Sequence, residues 1–179
     1  VAYLNVHGLL SRLQSAYRSC RSTETALLRV TSDILSALDN GDLAALALLD
    51  LSAAFDTVDH DILLRRLQVS YSINGVTLQW FRSYLDGRMQ HVKYRGRCSS
   101  KAVVRYGVPQ GSVLGPILFI LFIDDIGIVC SGSVNHKLFA DDLKLSSEIR
   151  TKHDNATVQL TLDRLEQWCR DWQLTINIP

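Results

Sequence analysis

At 179 residues and 47% hydrophobic side chains, the chain is long enough for one buried core and too apolar to stay disordered. A net charge of +1 excludes a uniformly basic surface, so any attraction to nucleic acid must come from local segregation of charge. Cys20, Cys98, Cys130 and Cys169 lie 78, 32 and 39 residues apart, which argues against zinc spacing and a disulfide framework.

In chain order, Ser22 fits a helix N-cap with Glu24 in the first turn. Leu27, Val30, Ile34 and Leu38 then mark one helical face, and Asn40-Gly41 ends it. The run 43–49 is Leu and Ala, which favour helix, yet its shortness and its bracketing by Asn40-Gly41 and Asp50 predict a fully buried strand. Two helices follow over 61–68 and 76–85. A hairpin pairs 90–94 with 102–106, turning through Gly96, Arg97, Cys98 and Ser99. Pro116 suits the first turn of a helix over 117–128, buried on most sides. The most apolar run, 113–123, is too short to span a membrane, and the N-terminus lacks the basic start and apolar block of a signal peptide. A hairpin over 136–146, an amphipathic helix carrying Val158, Leu162, Leu165 and Trp168, and a last strand over 174–178 complete the chain. This order predicts an α+β fold, an antiparallel sheet with helices on one face.

The charges are segregated. From Arg82 to Arg105 seven basic residues stand against one acid, Asp86, and from Arg12 to Arg29 four arginines stand against Glu24. The carboxylates concentrate between Asp50 and Asp61 and at two Asp pairs. A basic surface around an acidic, cation-binding cleft suits a nucleic-acid polymerase; an ordinary solvated face is the alternative for the basic stretch.

Within Phe139-Ala140-Asp141-Asp142-Leu143, two adjacent carboxylates sit between apolar flanks. Inside a strand they would point to opposite faces, whereas at a hairpin tip both can enter one cleft. At roughly 4 Å, two carboxylates repel by about 4 kcal/mol at an effective dielectric near 20, and a hard cation such as Mg²⁺ offsets that. A second segment, residues 46–56, delivers Asp50 at the end of an apolar run and places Phe55 five residues later. A third, Gly107-Val108-Pro109-Gln110-Gly111-Ser112-Val113-Leu114-Gly115-Pro116, spaces glycines every fourth position before a hydrophobic helix. It is no phosphate-cradling loop, because no Gly-Lys-Ser/Thr follows.

At these residues the chain resembles the reverse transcriptases of non-LTR (LINE-type, jockey-like) retrotransposons. Asp50 to Phe55 is similar to the first catalytic motif, Pro109-Gln110-Gly111 to the second, and Phe139-Ala140-Asp141-Asp142 to the third. Their separations fit as well, 59 residues from Asp50 to Pro109 and 30 from Pro109 to Phe139. Gln14-Ser15-Ala16-Tyr17-Arg18, with Arg21-Ser22-Thr23, resembles the fingers motif upstream.

The resemblance implies a polymerase palm with part of the fingers and no thumb: a fingers portion over about 1–42, palm over 43–179, and a possible fingers insertion near 62–106. It implies template-directed transfer of dNTPs to a primer 3′-hydroxyl with two Mg²⁺ ions, for which Mn²⁺ can substitute. Asp50, Asp141 and Asp142 would be catalytic metal ligands, Asp142 the least direct, with the Leu51 carbonyl adding an oxygen. Ala54, Phe55, Gln110 and Gly111 would meet the nucleotide, Phe55 excluding a 2′-hydroxyl. Arg18, Arg21, Arg88, Lys93 and Arg95 are candidates for phosphate contacts by charge alone. The implied partners are an RNA template, a DNA primer, dNTPs and the rest of a polyprotein that supplies the first fingers motifs, thumb and endonuclease. The implied setting is intracellular, in nucleus and cytoplasm as a ribonucleoprotein.

Asp56, Asp59, His60 and Asp61 form a rival acidic cluster, but their spacing reads as a solvated helix start. An RNA-directed RNA polymerase is disfavoured by Phe55, and an inactive palm relic by the intact Asp50, Asp141 and Asp142.

Overall fold

A computed structural model describes residues 2–130, 132 and 134–177. The chain divides into two compact units, one formed by the segments up to Ala54 and from Ile123 onward, the other by Phe55–Phe122. The first unit opens with α1 (Ala2–Val6), α2 (Thr23–Asp39), β1 (Leu43–Leu49) and β2 (Leu51–Ser52). The second holds α3 (His60–Val69), α4 (Gly75–Leu85), β3 (Met89–Gln90), β4 (Lys93–Tyr94), β5 (Arg97–Cys98), β6 (Ala102–Val103) and nearly all of α5 (Gly115–Ile123). The first unit resumes with α6 (Ile126–Val129), β7 (Asn135–Phe139), β8 (Asp142–Ile149), α7 (Lys152–Asp171) and β9 (Thr175–Ile176). Of the expected last strand, Ile178 lies outside the described residues.

The first unit is built on an antiparallel sheet in the order β1-β8-β7. Central β8 carries the buried Leu143 and Leu145, and β1 pairs with it from Leu43↔Ile149 to Leu49↔Leu143. The outer edge of β7 is covered in parallel by residues 13–15: Ser15 N–H donates to Leu138 O at 2.9 Å, and Leu138 N–H to Leu13 O at 3.0 Å. Neighbouring strand residues point to opposite faces. Lys137 pairs with Asp33 of α2, while the ring of His136 packs against Gly127 of α6. The sheet is antiparallel as expected, but helices therefore cover both of its faces rather than one.

The strand over 43–49 forms with the expected bounds but is not fully buried: Leu43, Leu46 and Leu48 are exposed. As an edge strand it has one hydrogen-bonded neighbour, so its leucines are only partly covered. Ser22 does cap α2, in a reciprocal box with Thr25. The buried face of α2 is Ala26, Val30 and Ala37, while Leu27 and Leu38 are exposed. Small residues allow close approach to the sheet; Val30 is common to the expected and the observed face, while Ala26 and Ala37 pack in place of their neighbours Leu27 and Leu38.

In the second unit, α5 is buried on nearly all sides, with Leu118, Phe119, Ile120, Leu121 and Phe122 each at most 3% exposed. The Leu121 carbonyl near its C-terminus accepts from Arg66 Nε at 3.1 Å and Tyr71 Oη at 3.2 Å, a cation where the helix dipole favours one. The expected helix over 117–128 breaks at Asp124-Asp125. Asp124 Oδ1 accepts from Ser11 N–H and Asp125 Oδ1 from Trp168 Nε1, each at 3.2 Å, so both side chains are engaged outside the helix.

The expected hairpin becomes two short ladders, β3 with β6 and β4 with β5. Ser99 Oγ takes the Val92 N–H at 2.9 Å and interrupts the pairing. The turn sits one residue earlier than expected, at Arg95 (φ 47°) and Gly96 (φ 79°), the positive pair that a two-residue I′ connection requires.

Candidate active site

β1 ends at Leu49, opposite Leu143, and Asp50 follows at once on the exposed strand end. The next position of β8 is Asp142, paired with Phe139 across the turn Ala140-Asp141. Strand register thus gathers Asp50, Asp141 and Asp142 at one end of the sheet. Asn177 holds Asp50 from the other side: its N–H donates to Asp50 O at 2.8 Å and its Nδ2 to Asp50 Oδ2 at 3.3 Å. Leu51 is buried and paired with Ile176.

The electrostatics match this gathering. The Asp141 carboxyl is pushed above the usual range chiefly by burial, and the negative charges of Asp142 and Asp50 push the same way. Lys144 Nζ lies 4.0 Å from Asp142 Oδ2 and partly balances it. Asp142 thus has Lys144 beside it, whereas Asp141 has the negative charges of Asp142 and Asp50 for neighbours. The donors are all oxygens, the set a hard divalent cation prefers. Among the described residues, no three His, Cys, Asp or Glu side chains form a ready-made metal cage. The arrangement fits a cation that completes its shell with water and substrate phosphate oxygens.

The second unit carries the other motif residues. Phe55 is half-buried, its ring stacked on Phe119 at 4.1 Å between centroids and 25° between planes. Its neighbour Ala54 belongs to the first unit and is buried. Gly107 takes φ +88°, and a Cβ there would lie 2.9 Å from Asp56 Cα, so only glycine fits. Its N–H donates to Val58 O at 2.8 Å, and its carbonyl meets His60 Nε2 at 2.8 Å. Gln110 is exposed, and its Nε2 donates to Asp56 Oδ1 at 2.7 Å. Gly111 follows at φ +77°.

The acidic cluster after Phe55 thus has two parts. Asp59 is the N-cap of α3, accepting from Ile62 N–H at 2.9 Å, and Asp61 lies 3.7 Å from Arg82 on the surface, as a helix start predicts. Asp56 and His60, however, fasten the segment after the first motif to the loop of the second. Their i, i+4 spacing reads as one helical face and conceals this role.

The arginines chosen by charge are engaged locally. Arg18 donates to Ser11 O at 3.3 Å and Arg21 to Gln14 O at 2.8 Å. Burial first, then Arg18 and Arg29, lower the Arg21 pKa. Arg88 and Arg95 lie over the Tyr84 and Tyr94 rings at 5.4 and 5.3 Å, and Lys93 is exposed in β4. Sequence reasoning assigned no role to Asn177 or to Lys144, which stands beside the third motif, and Gln14 entered it only as the first residue of the segment that resembles the fingers motif.

Comparison with known proteins agrees with the motifs. The family described as "Reverse transcriptase (RNA-dependent DNA polymerase)" matches residues 1–178. The chain is 32% identical over 99% of its length to a probable RNA-directed DNA polymerase from transposon X-element of Drosophila melanogaster. It is 31% identical over 97% of its length to the RNA-directed DNA polymerase from mobile element jockey of the same species. It covers 20% and 19% of those two relatives, about a fifth of their length. Among solved structures, an apo telomerase from Candida tropicalis superposes with a TM-score of 0.70 at 11% identity, covering 98% of this chain and 34% of that one. A Candida albicans telomerase gives 0.67 at 14% identity, covering 93% and 31%. These structures support the fold alone; on the sequence match, the chain belongs to the reverse transcriptase family.

Proposed function

We propose that this chain holds the polymerising centre of an RNA-directed DNA polymerase of non-LTR type, adding dNTPs to a DNA primer on an RNA template. The observation that carries the reading is the placement of Asp50 and Asp141 at adjoining ends of paired strands, near enough for the charge of one to act on the other. Two Mg²⁺ ions, for which Mn²⁺ can substitute, would activate the primer 3′-hydroxyl and balance the charge of the leaving pyrophosphate. Asp50 and Asp141 would hold them, with Asp142 and the Leu51 carbonyl in support. Phe55, mounted on Phe119, would present a fixed ring edge to the sugar. Gln110 and Gly111 would meet the nucleotide, Gln110 oriented by Asp56. The basic β3–β6 region and the arginines near residues 12–29 would track nucleic-acid phosphates. The full polymerase, with the remainder of a polyprotein, would act as a ribonucleoprotein in nucleus and cytoplasm.

Primer extension on poly(rA), in a chain long enough to turn over, tests this. Asp50→Asn and Asp141→Asn should each lower turnover by roughly a thousandfold, about 4 kcal/mol, while Asp59→Asn does far less. Equal losses at all three positions would show that the wrong carboxylates were chosen.

A further inference from the structure

The turn that carries Asp141 is built from an unfavourable residue. Ala140 takes φ +53°, a left-handed value usually left to glycine, and it is 7% exposed, so its peptide groups need partners inside the protein. Both partners come from one side chain 126 residues earlier. Gln14 Oε1 accepts the Ala140 N–H at 2.9 Å, and Gln14 Nε2 donates to the Ala140 carbonyl at 3.3 Å. The same Oε1 accepts the Ala16 N–H at 2.9 Å. Gln14 is 1% exposed, and its backbone is fixed in turn, bridged to Leu138 and accepting from Arg21.

We infer that Gln14 is a positioning residue for the turn, fixing Ala140 so that the Asp141 carboxylate is presented to a divalent cation. The inference rests on the metal-binding reading above. The chemistry explains the residue type. One planar group must offer an acceptor to the N–H and a donor to the C=O of the same residue, at the length of a Gln side chain. Glutamate lacks the donor, asparagine is shorter, and methionine has the length without either bond. Gln14 touches no metal-ligating atom; it acts on Asp141 through the adjoining peptide.

The test is Mn²⁺ binding to this chain, read from loss of the free aquo-ion signal in electron paramagnetic resonance, with melting temperatures measured in parallel. Gln14→Met should weaken Mn²⁺ binding by tenfold or more. Leu165→Ala, a core truncation in α7, should lower the melting temperature while leaving Mn²⁺ affinity within about twofold. Native affinity in a folded Gln14→Met chain, or an equal loss in Leu165→Ala, would overturn the assignment. Asp141→Asn separates the two levels: if it binds Mn²⁺ as the native chain does, the metal site itself is misplaced, and this inference falls with it. Amide exchange on the native chain needs no variant. The Ala140 and Ala16 amides should be protected at least a hundredfold, and an Ala140 amide exchanging at the rate of an unstructured peptide would overturn the clamp.

Discussion

Phe55→Ala separates a sugar gate from a packing residue, because the two roles fail differently. The ring stacks on a fully buried Phe119, and truncation forfeits that pairing, about 0.5–1.5 kcal/mol. It also forfeits part of the about 3–5 kcal/mol that a fully buried phenylalanine loses on truncation, a part because Phe55 is only half-buried. A total of about 2–3 kcal/mol follows, which for a chain of this size lowers the melting temperature by roughly 5–10 °C. Phe55→Tyr keeps the ring and should keep most of that stability. Discrimination is a separate quantity. A steric gate repels the 2′-hydroxyl, so opening the space should reduce the preference for deoxynucleotides at least about tenfold, about 1.4 kcal/mol, by raising ribonucleotide incorporation. Single-nucleotide extension with each nucleotide type, in a chain long enough to turn over, measures the ratio of kcat/KM values. If Phe55→Ala melts cooperatively and the ratio is unchanged, the gate assignment is wrong and the ring is a packing element only.

Gly107→Ala should destabilise the chain by about 3 kcal/mol: about 1–2 for left-handed backbone, the rest for forcing Asp56 away and weakening the bonds to Val58 and His60. Urea denaturation reads this, and a loss under about 0.5 kcal/mol would refute the close approach of the two loops. Asp154, which accepts from the Arg150 and Thr151 N–H groups, has its carboxyl held below the usual range by those bonds. Its contribution is therefore complete above the unfolded value of about 4 and is lost as pH falls through the lower folded value. Asp154→Asn should flatten the acid limb of the stability curve below about pH 4, and an unaltered limb in urea melts would contradict the assignment.

What the sequence disclosed follows the range of the interactions. The bounds of β1 were legible because Asn40-Gly41 and Asp50 punctuate the run locally, and the Ser22 cap because its partner Thr25 is three residues away. The buried face of α2 was not, since the choice between Ala26 and Leu27 belongs to the sheet beneath, where Lys137 draws Asp33 inward. The hairpin turn was displaced because Arg95 adopts a positive φ that its side chain does not advertise. At the candidate site the same division holds. The placement of Asp50 and Asp141 at strand ends was readable because each follows a largely apolar segment that forms a strand. The groups that hold them there were silent: Gln14 lies 126 residues from Ala140, and Asn177 lies 127 from Asp50. Gln14 opens the segment that resembles the fingers motif, but that resemblance does not say which distant backbone its neutral amide meets, and Asn177 carries no motif at all. Carboxylates that end apolar strands leave a local trace, because burying unpaired charge is costly and the chain places it where a strand emerges. The amides that aim them become visible only when the fold brings distant backbone within hydrogen-bonding reach.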